Sequence, residues 1–372
     1  MGKTLMMFGL GDLGGWVLEF LCRREGLSTI VACDMREDWG HLKVECAATG
    51  AGQEGYCKTM KFEKCDVNDI DATAELLKKY NPDVIYSGLT LLGWREMRVI
   101  PRAVGAKFHK ATGCILPLQV VLLANLMKAL KKAGITVPVV NNSYPDGTNP
   151  VLWRNGFPVT VGAGNLDNIV GEMRRKISVT ENVPIREVTI YLIADHVINV
   201  LGTRTGLPYF FKVLIGDRDI TSKVDVDSLI SDRLLKSPVE WTTWINHPAI
   251  GASAVRNIMA IVNDTNEFAH SPGPNGLPGG YPIRINAKGV EVVLPEGVTL
   301  EEAIKINTDG IKQEGIEEIK DDGTVVLTDE AYSIQRELYG VDFREYRFAD
   351  MEDIAKELLE AGKKVIAKYG TA

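Results

Sequence analysis

Two groups of residues in this chain of 372 have the types and spacing to do chemistry. The first lies at the start. The run Lys3-Thr4-Leu5-Met6-Met7-Phe8 ends in Gly9-x-Gly11-x-x-Gly14, and a second run, Ser28-Thr29-Ile30-Val31-Ala32-Cys33, closes on Asp34. The order is strand, glycine turn, helix, strand, carboxylate, and each part has a task in a dinucleotide site. Gly9 permits a tight turn, Gly11 lets the backbone approach a pyrophosphate, and Gly14 lets the helix pack close to the strand. The helix start, at Asp12 and Leu13, offers unpaired amides and a partial positive charge to phosphates. Asp34 is placed to accept hydrogen bonds from ribose hydroxyls. A carboxylate there repels a 2′-phosphate, so NAD is the expected cofactor; Arg36 nearby leaves NADP open.

The second group is sparse. Histidine is scarce in the chain, and His196 follows an apolar strand beside Asp195. Asp167 lies between a glycine-rich turn, Val161-Gly162-Ala163-Gly164-Asn165, and a helix. A buried Asp that fixes the tautomer of a His and stabilises its charged form is the acid/base arrangement that hydride transfer needs. On spacing alone, a structural histidine at a strand end is the competing reading and the more ordinary one. No residue is assigned to a metal, since none of the six cysteines forms a Cys-x-x-Cys pair.

Composition sets outer bounds. The chain is 45% hydrophobic and 24% charged, enough to bury a proper core. A net charge of -7 without any basic run argues against a nucleic-acid surface. The six cysteines read as reduced thiols of a cytoplasmic protein. The first strand is broken by its glycine turn, unlike a signal peptide, and no run reaches the ~18 apolar residues of a membrane span.

The elements that must position these groups alternate strand and helix through the first 150 residues. A helix over 70–80 stops at Asn81-Pro82, and Asp83-Val84-Ile85-Tyr86-Ser87 is a parallel strand with Gly88 at its exit. Ligands of doubly wound sheets sit at such carboxyl ends, so Gly88 joins the cofactor candidates. The loop that follows carries Arg95, Arg98 and Arg102. A long helix over 117–132 and a strand at 137–140 lead into Asn141-Asn142-Ser143-Tyr144-Pro145-Asp146-Gly147-Thr148-Asn149-Pro150, too rich in turn formers to read as core. Arg98, Asn142 and Ser253, at the head of a helix over 253–263, are the substrate candidates. Thr299 and Glu302 form a capping box, and a final amphipathic helix closes the chain. The fold class is α/β: a Rossmann dinucleotide-binding domain over 1–150, an α+β substrate domain over 151–320 and a C-terminal helical extension over 321–372.

Several stretches resemble the lactate/malate dehydrogenase family. Val161 to Asp167 looks like its Leu-Asp segment, and Ala194-Asp195-His196 looks like its Gly-Glu-His segment. Gly206-Leu207-Pro208-Tyr209-Phe210-Phe211-Lys212-Val213 and Asn275 to Glu291 are similar to the sheet around them. Their order matches the family over roughly residues 1–317. The resemblance implies Asp167 and His196 as the proton-transfer pair, a hydroxy or keto substrate related to the 2-hydroxy acids, and a homodimer or homotetramer. One departure stands out: where the family has its carboxylate-binding arginine, one helical turn after the aspartate, this chain has Val170, with Arg174 and Arg175 further on. Arg98 or Arg256 could supply that charge from elsewhere. Two other readings compete. Asp66-Val67-Asn68-Asp69 through Asn81-Pro82-Asp83-Val84 resembles extended short-chain dehydrogenases and epimerases, but no tyrosine has a lysine four residues on, which removes their Tyr-x-x-x-Lys. A catalytically inactive NAD-binding sensor is the other.

Overall fold

A computed structural model of the chain describes residues 2–93, 96, 109–203, 206–231 and 246–369. The loop arginines Arg95, Arg98 and Arg102 lie outside them. Six strands form one parallel sheet. Strands β1 (Lys3–Phe8), β2 (Leu27–Asp34), β3 (Thr59–Lys64), β4 (Val84–Ser87), β5 (Val139–Asn141) and β6 (Val161–Gly162) lie in the order β3-β2-β1-β4-β5-β6. Every pairing is parallel. The order reverses between β1 and β4, which opens a crevice at their carboxyl ends. Because β6 ends at Gly162, the dinucleotide half of the fold runs past residue 150.

Helices cover both faces: α1 (Asp12–Leu21), α2 (Glu37–Gln53), α3 (Ile70–Tyr80) and α4 (Leu116–Ala133). The stretch after β2 forms α2, 17 residues long. The helical stretch His109–Ala133 is long and apolar enough to cross a membrane, contrary to the sequence reading, yet 94% of its apolar window is buried in the fold. Its apolarity serves contact on two sides, with the sheet and with the C-terminal helix below.

The polar stretch 141–150 is not a surface loop. Its second half opens α5 (Pro145–Arg154), whose residues 145–152 are all buried. Proline at the first turn is preset for a helix, and the polar side chains pair inside. Asn141 Nδ2 donates to Asn149 Oδ1 at 2.9 Å, and Asn149 Nδ2 donates to the Gly273 carbonyl at 2.9 Å. Buried amides that satisfy one another in this way remove the usual objection to polar core.

The second half contains α6 (Leu166–Thr180), the antiparallel sheet β7 (Val188–Ile193), β8 (Phe210–Ile215) and β9 (Arg218–Asp219), the helix α7 (His247–Asn263), and the antiparallel sheet β10 (Glu267–Pro272), β11 (Gly280–Asn286) and β12 (Gly289–Val292). The helix α7 starts before Ser253 because Pro248 occupies its first turn. Its apolar face joins the core shared with α1 and the parallel sheet. An Ala194–Gly280 bridge ties β7 to β11, and the buried ring of His270 meets the Leu192 carbonyl at 3.0 Å.

The C-terminal part is not helical throughout. After α8 (Leu300–Ile311), which has the expected Thr299–Glu302 capping box, β13 (Ile316–Ile319), β14 (Val325–Leu327) and β15 (Glu345–Tyr346) form a third antiparallel sheet. It carries α9 (Asp329–Tyr339) and α10 (Met351–Tyr369). Leu358 and Ala355 of α10 are fully buried in the same core as α4. Tyr346 Oη donates to the Cys114 carbonyl at 3.0 Å, and Cys114 Sγ donates to the Ala331 carbonyl at 3.2 Å. This segment is thus packed into the dinucleotide half rather than appended to it.

Two outcomes follow for stability. Leu358→Ala leaves a cavity against α4 and should cost about 3 kcal/mol, read by urea unfolding of the whole chain; a change within experimental error would mean that α10 is peripheral. His270 is held neutral, since burial lowers its pKa from 6.5 to about 4, against the raising effect of Asp167. The unfolded chain therefore takes up a proton near pH 6.5 that the native chain refuses until about pH 4. The stability this residue contributes is complete above pH 6.5 and is lost as the pH falls toward 4. The full loss is on the order of 3 kcal/mol. A His270→Gln variant should show a shallower decline of unfolding free energy across that window than the parent.

Candidate active site

The nucleotide loop has the geometry its glycines imply. Gly9 sits at φ +94°, in the left-handed region that favours glycine, and a Cβ at Gly14 would run into the Gly9 carbonyl. A Cβ at Gly11 would meet nothing within 4 Å, so the backbone is open on the side where a pyrophosphate would lie. Gly11 is also the N-cap of α1, and no side chain caps that end. The start of α1, at Asp12 and Leu13, carries the partial positive charge that suits an anion. The Gly88 amide, just past β4, donates to the Phe8 carbonyl and so holds the two strand ends together.

Asp34 is 9% exposed. Its Oδ2 accepts from the Leu10 amide at 2.7 Å and its Oδ1 from the Arg36 amide at 2.9 Å, which fixes the glycine turn to the end of β2. Burial would raise its pKa, but the Arg36 side chain and these two amides outweigh burial and hold the carboxylate below the usual range. Lys43 of α2 reaches the Gly11 carbonyl at 2.7 Å. These residues fit a dinucleotide: an open Gly11, an uncapped helix start and an ionised acid at the end of β2.

Asp167 and His196 have different partners. The buried Asp167, in the first turn of α6, accepts from Arg256 Nη1 at 2.9 Å. Arg256 is also engaged with Asn257 Oδ1 at 2.8 Å and the His270 carbonyl at 2.7 Å. Its guanidinium is thus occupied by protein. Arg174 donates to the carbonyls of Val188 and Ile185, and Val170 is buried. Neither the Val170 position, nor Arg174, nor Arg256 therefore supplies a free carboxylate fork.

His196, just past β7, instead forms an ion pair through Nδ1 with Glu314, in the turn after α8. Asp167 thus pairs with Arg256 on the neighbouring α7, and Glu314, which is 1% exposed, pairs with His196. Glu314 also accepts from Tyr144 Oη at 2.5 Å. Asp195 is 2% exposed, with Oδ1 accepting from the Val197 amide at 2.9 Å. Asp146, fully buried in the first turn of α5, accepts from Asn165 Nδ2. Burial works to lower the His196 pKa, but Glu314, then Asp146 and Asp195, raise it to about 10. Burial and Glu314 push Asp195 well above the carboxylate range; burial, less the opposing charge of His196, brings Asp146 to about 6.

This group stands where β5, β6 and β7 end, on the edge of the sheet that carries the glycine loop. Asn142 Nδ2 donates to the Ala163 carbonyl at 3.1 Å, and Ser253 Oγ accepts from the Gly164 amide at 2.9 Å. Both therefore brace the turn after β6, next to the site rather than in its charged centre. Glu314, Asp146 and Tyr144 were not legible as site residues. Asp146 and Tyr144 sit in a stretch that reads as turn, and Glu314 follows a helix far along the chain with no motif around it.

No protein-family model and no curated protein matches the chain. Solved structures do resemble it. Malate dehydrogenase from Picrophilus torridus is 18% identical with a TM-score of 0.62, over 84% of this chain and 96% of that one. Malate dehydrogenase from Cryptosporidium parvum is 17% identical with a TM-score of 0.60, over 84% and 96%. Lactate dehydrogenase from Cryptosporidium parvum, solved with lactic acid and nicotinamide adenine dinucleotide, is 17% identical with a TM-score of 0.56, over 84% and 96%. The chain has the fold of the lactate and malate dehydrogenases: a Rossmann half followed by an α+β half.

Proposed function

We propose that the chain is a nicotinamide-dependent oxidoreductase acting on a CH–OH group, with His196 and Glu314 as its proton-transfer pair. The carrying observation is the placement of a buried His–Glu ion pair at the carboxyl edge of a sheet whose glycine loop fits a dinucleotide. The amides of Asp12 and Leu13 and the open face at Gly11 would hold the pyrophosphate, and Asp34 the ribose hydroxyls, as expected for NAD. When bound, the cofactor supplies or accepts the hydride.

The chain's own residues do the rest. Glu314 orients the His196 ring and stabilises its charged form, so that the imidazolium can give a proton to a carbonyl oxygen, or the imidazole take one from a hydroxyl. Tyr144, donating to Glu314, fixes that carboxylate in turn. Asn142 and Ser253 hold the turn after β6 on which the substrate side is built. The substrate class, a hydroxy or keto compound related to the 2-hydroxy acids, is taken from the structural neighbours. Arg98 remains the candidate for its carboxylate, since Arg256 is engaged by Asp167.

A screen of hydroxy and keto acids followed by nicotinamide absorbance tests the reading. Tight NAD binding with no turnover on any of them would favour the sensor instead. Once a substrate is found, His196→Asn should lower kcat by about 10²–10⁴-fold with the fold retained. Asp167→Ala should do the opposite: it leaves Arg256 without its carboxylate and costs roughly 2 kcal/mol of stability, with the smaller effect on kcat. The reverse ranking of the two variants would return Asp167 to the proton-transfer role.

A further inference from the structure

The cluster around His196 gathers three carboxyl groups about one imidazole. Asp146, Asp195 and Glu314 are each no more than 2% exposed. The cationic group acting on both Asp146 and Asp195 is His196. Hydrogen bonding does not complete the balance. Among the described residues, Asp195 Oδ2 and Asp146 Oδ1 have no hydrogen-bond partner, and neither has Thr148 Oγ1, two residues along α5 and fully buried. Carboxylate oxygens inside a protein are ordinarily matched by donors or by a cation. Here two oxygens from different elements are matched by neither.

The same side chains offer ligand atoms at the right spacing. One atom each of Asp195, His196 and Glu314 lie within 4.8 Å of one another. Around a centre with bonds of about 2.1 Å, ligand atoms stand roughly 3–4 Å apart, which small side-chain rotations reach from here. We infer that Asp195, His196 and Glu314 form a binding site for a divalent cation, with Asp146 beside it as a further oxygen donor or as the acceptor for a bound water. Carboxylate oxygens with one imidazole, and no thiolate, suit Mn²⁺ or Zn²⁺. A Ca²⁺ ion takes six to eight oxygens, about twice the number gathered here. The His196 side chain is 19% exposed, which gives an ion a way in.

A cation held by these residues would polarise a substrate oxygen, and its open positions would suit a substrate with two adjacent oxygens. That role in turnover rests on the oxidoreductase reading; the binding itself does not.

The test uses the full chain, stripped with a chelator and titrated with Mn²⁺ and, separately, Zn²⁺, by calorimetry and, for Mn²⁺, by electron paramagnetic resonance. One ion per chain is expected, with a rise in the unfolding midpoint on loading. Asp195→Asn and Glu314→Gln should each weaken binding at least tenfold. Glu317→Gln, on an exposed residue paired with Lys312, should leave it unchanged. If one cluster variant fails to fold, the other carries the comparison. Absence of saturable binding of either ion to the parent, or binding that both cluster variants leave intact, would overturn the site. Metal binding without any nicotinamide turnover would keep the site and sink the oxidoreductase reading; turnover in a chain that binds neither ion would do the reverse.

Discussion

The structure depends on how it pays for burying charge between the carboxyl edge of the parallel sheet and the second half of the chain. Two ion pairs, Asp167–Arg256 and His196–Glu314, answer the problem differently. The first is closed. Its guanidinium is shared among a carboxylate, an amide oxygen and a backbone carbonyl, and little is left to bind anything else. The second is open-ended, because Asp146 and Asp195 crowd an imidazole that already has a partner. A closed pair fixes geometry, whereas an unbalanced one reacts to protons, ions and substrates.

The fold delivers these pairs from separate elements. His196 comes from the end of β7, Glu314 from the turn after α8, Asp146 from α5 and Asp167 from α6. The ends of β5 and β6 bring α5 and α6 to the crevice, and the Ala194–Gly280 bridge brings β7 to β11. The nucleotide loop needs none of this. Its parts are contiguous, so Gly9, Gly14 and Asp34 can lock together within one βαβ unit.

That difference explains what could be read from sequence. The glycine loop, the acid after β2 and the capping box at Thr299 are local, and each has its reason within a few residues. The likeness to the dehydrogenase fold was legible too, through the order of weak segments. The His196–Glu314 contact was not, because the two residues are far apart in sequence and no motif surrounds Glu314. The buried α5 was missed for a similar reason: Asn141, Asn149 and Asp146 look like turn formers until their partners are known. The strands after Glu314 are short and paired only with each other, which leaves little periodicity to detect.

Gly315 follows Glu314 directly and stands at φ +93°, wedged between the Lys110 carbonyl and the Ala331 side chain. It makes a fixed joint where the chain leaves α8 for the C-terminal sheet. The acid that holds His196 is therefore set by packing among Lys110 and Gly113 ahead of α4, Ala331 of α9 and the strand that starts at Ile316. Sequence drift in that distant layer becomes a means of retuning the acidity of the site while every residue in it stays the same.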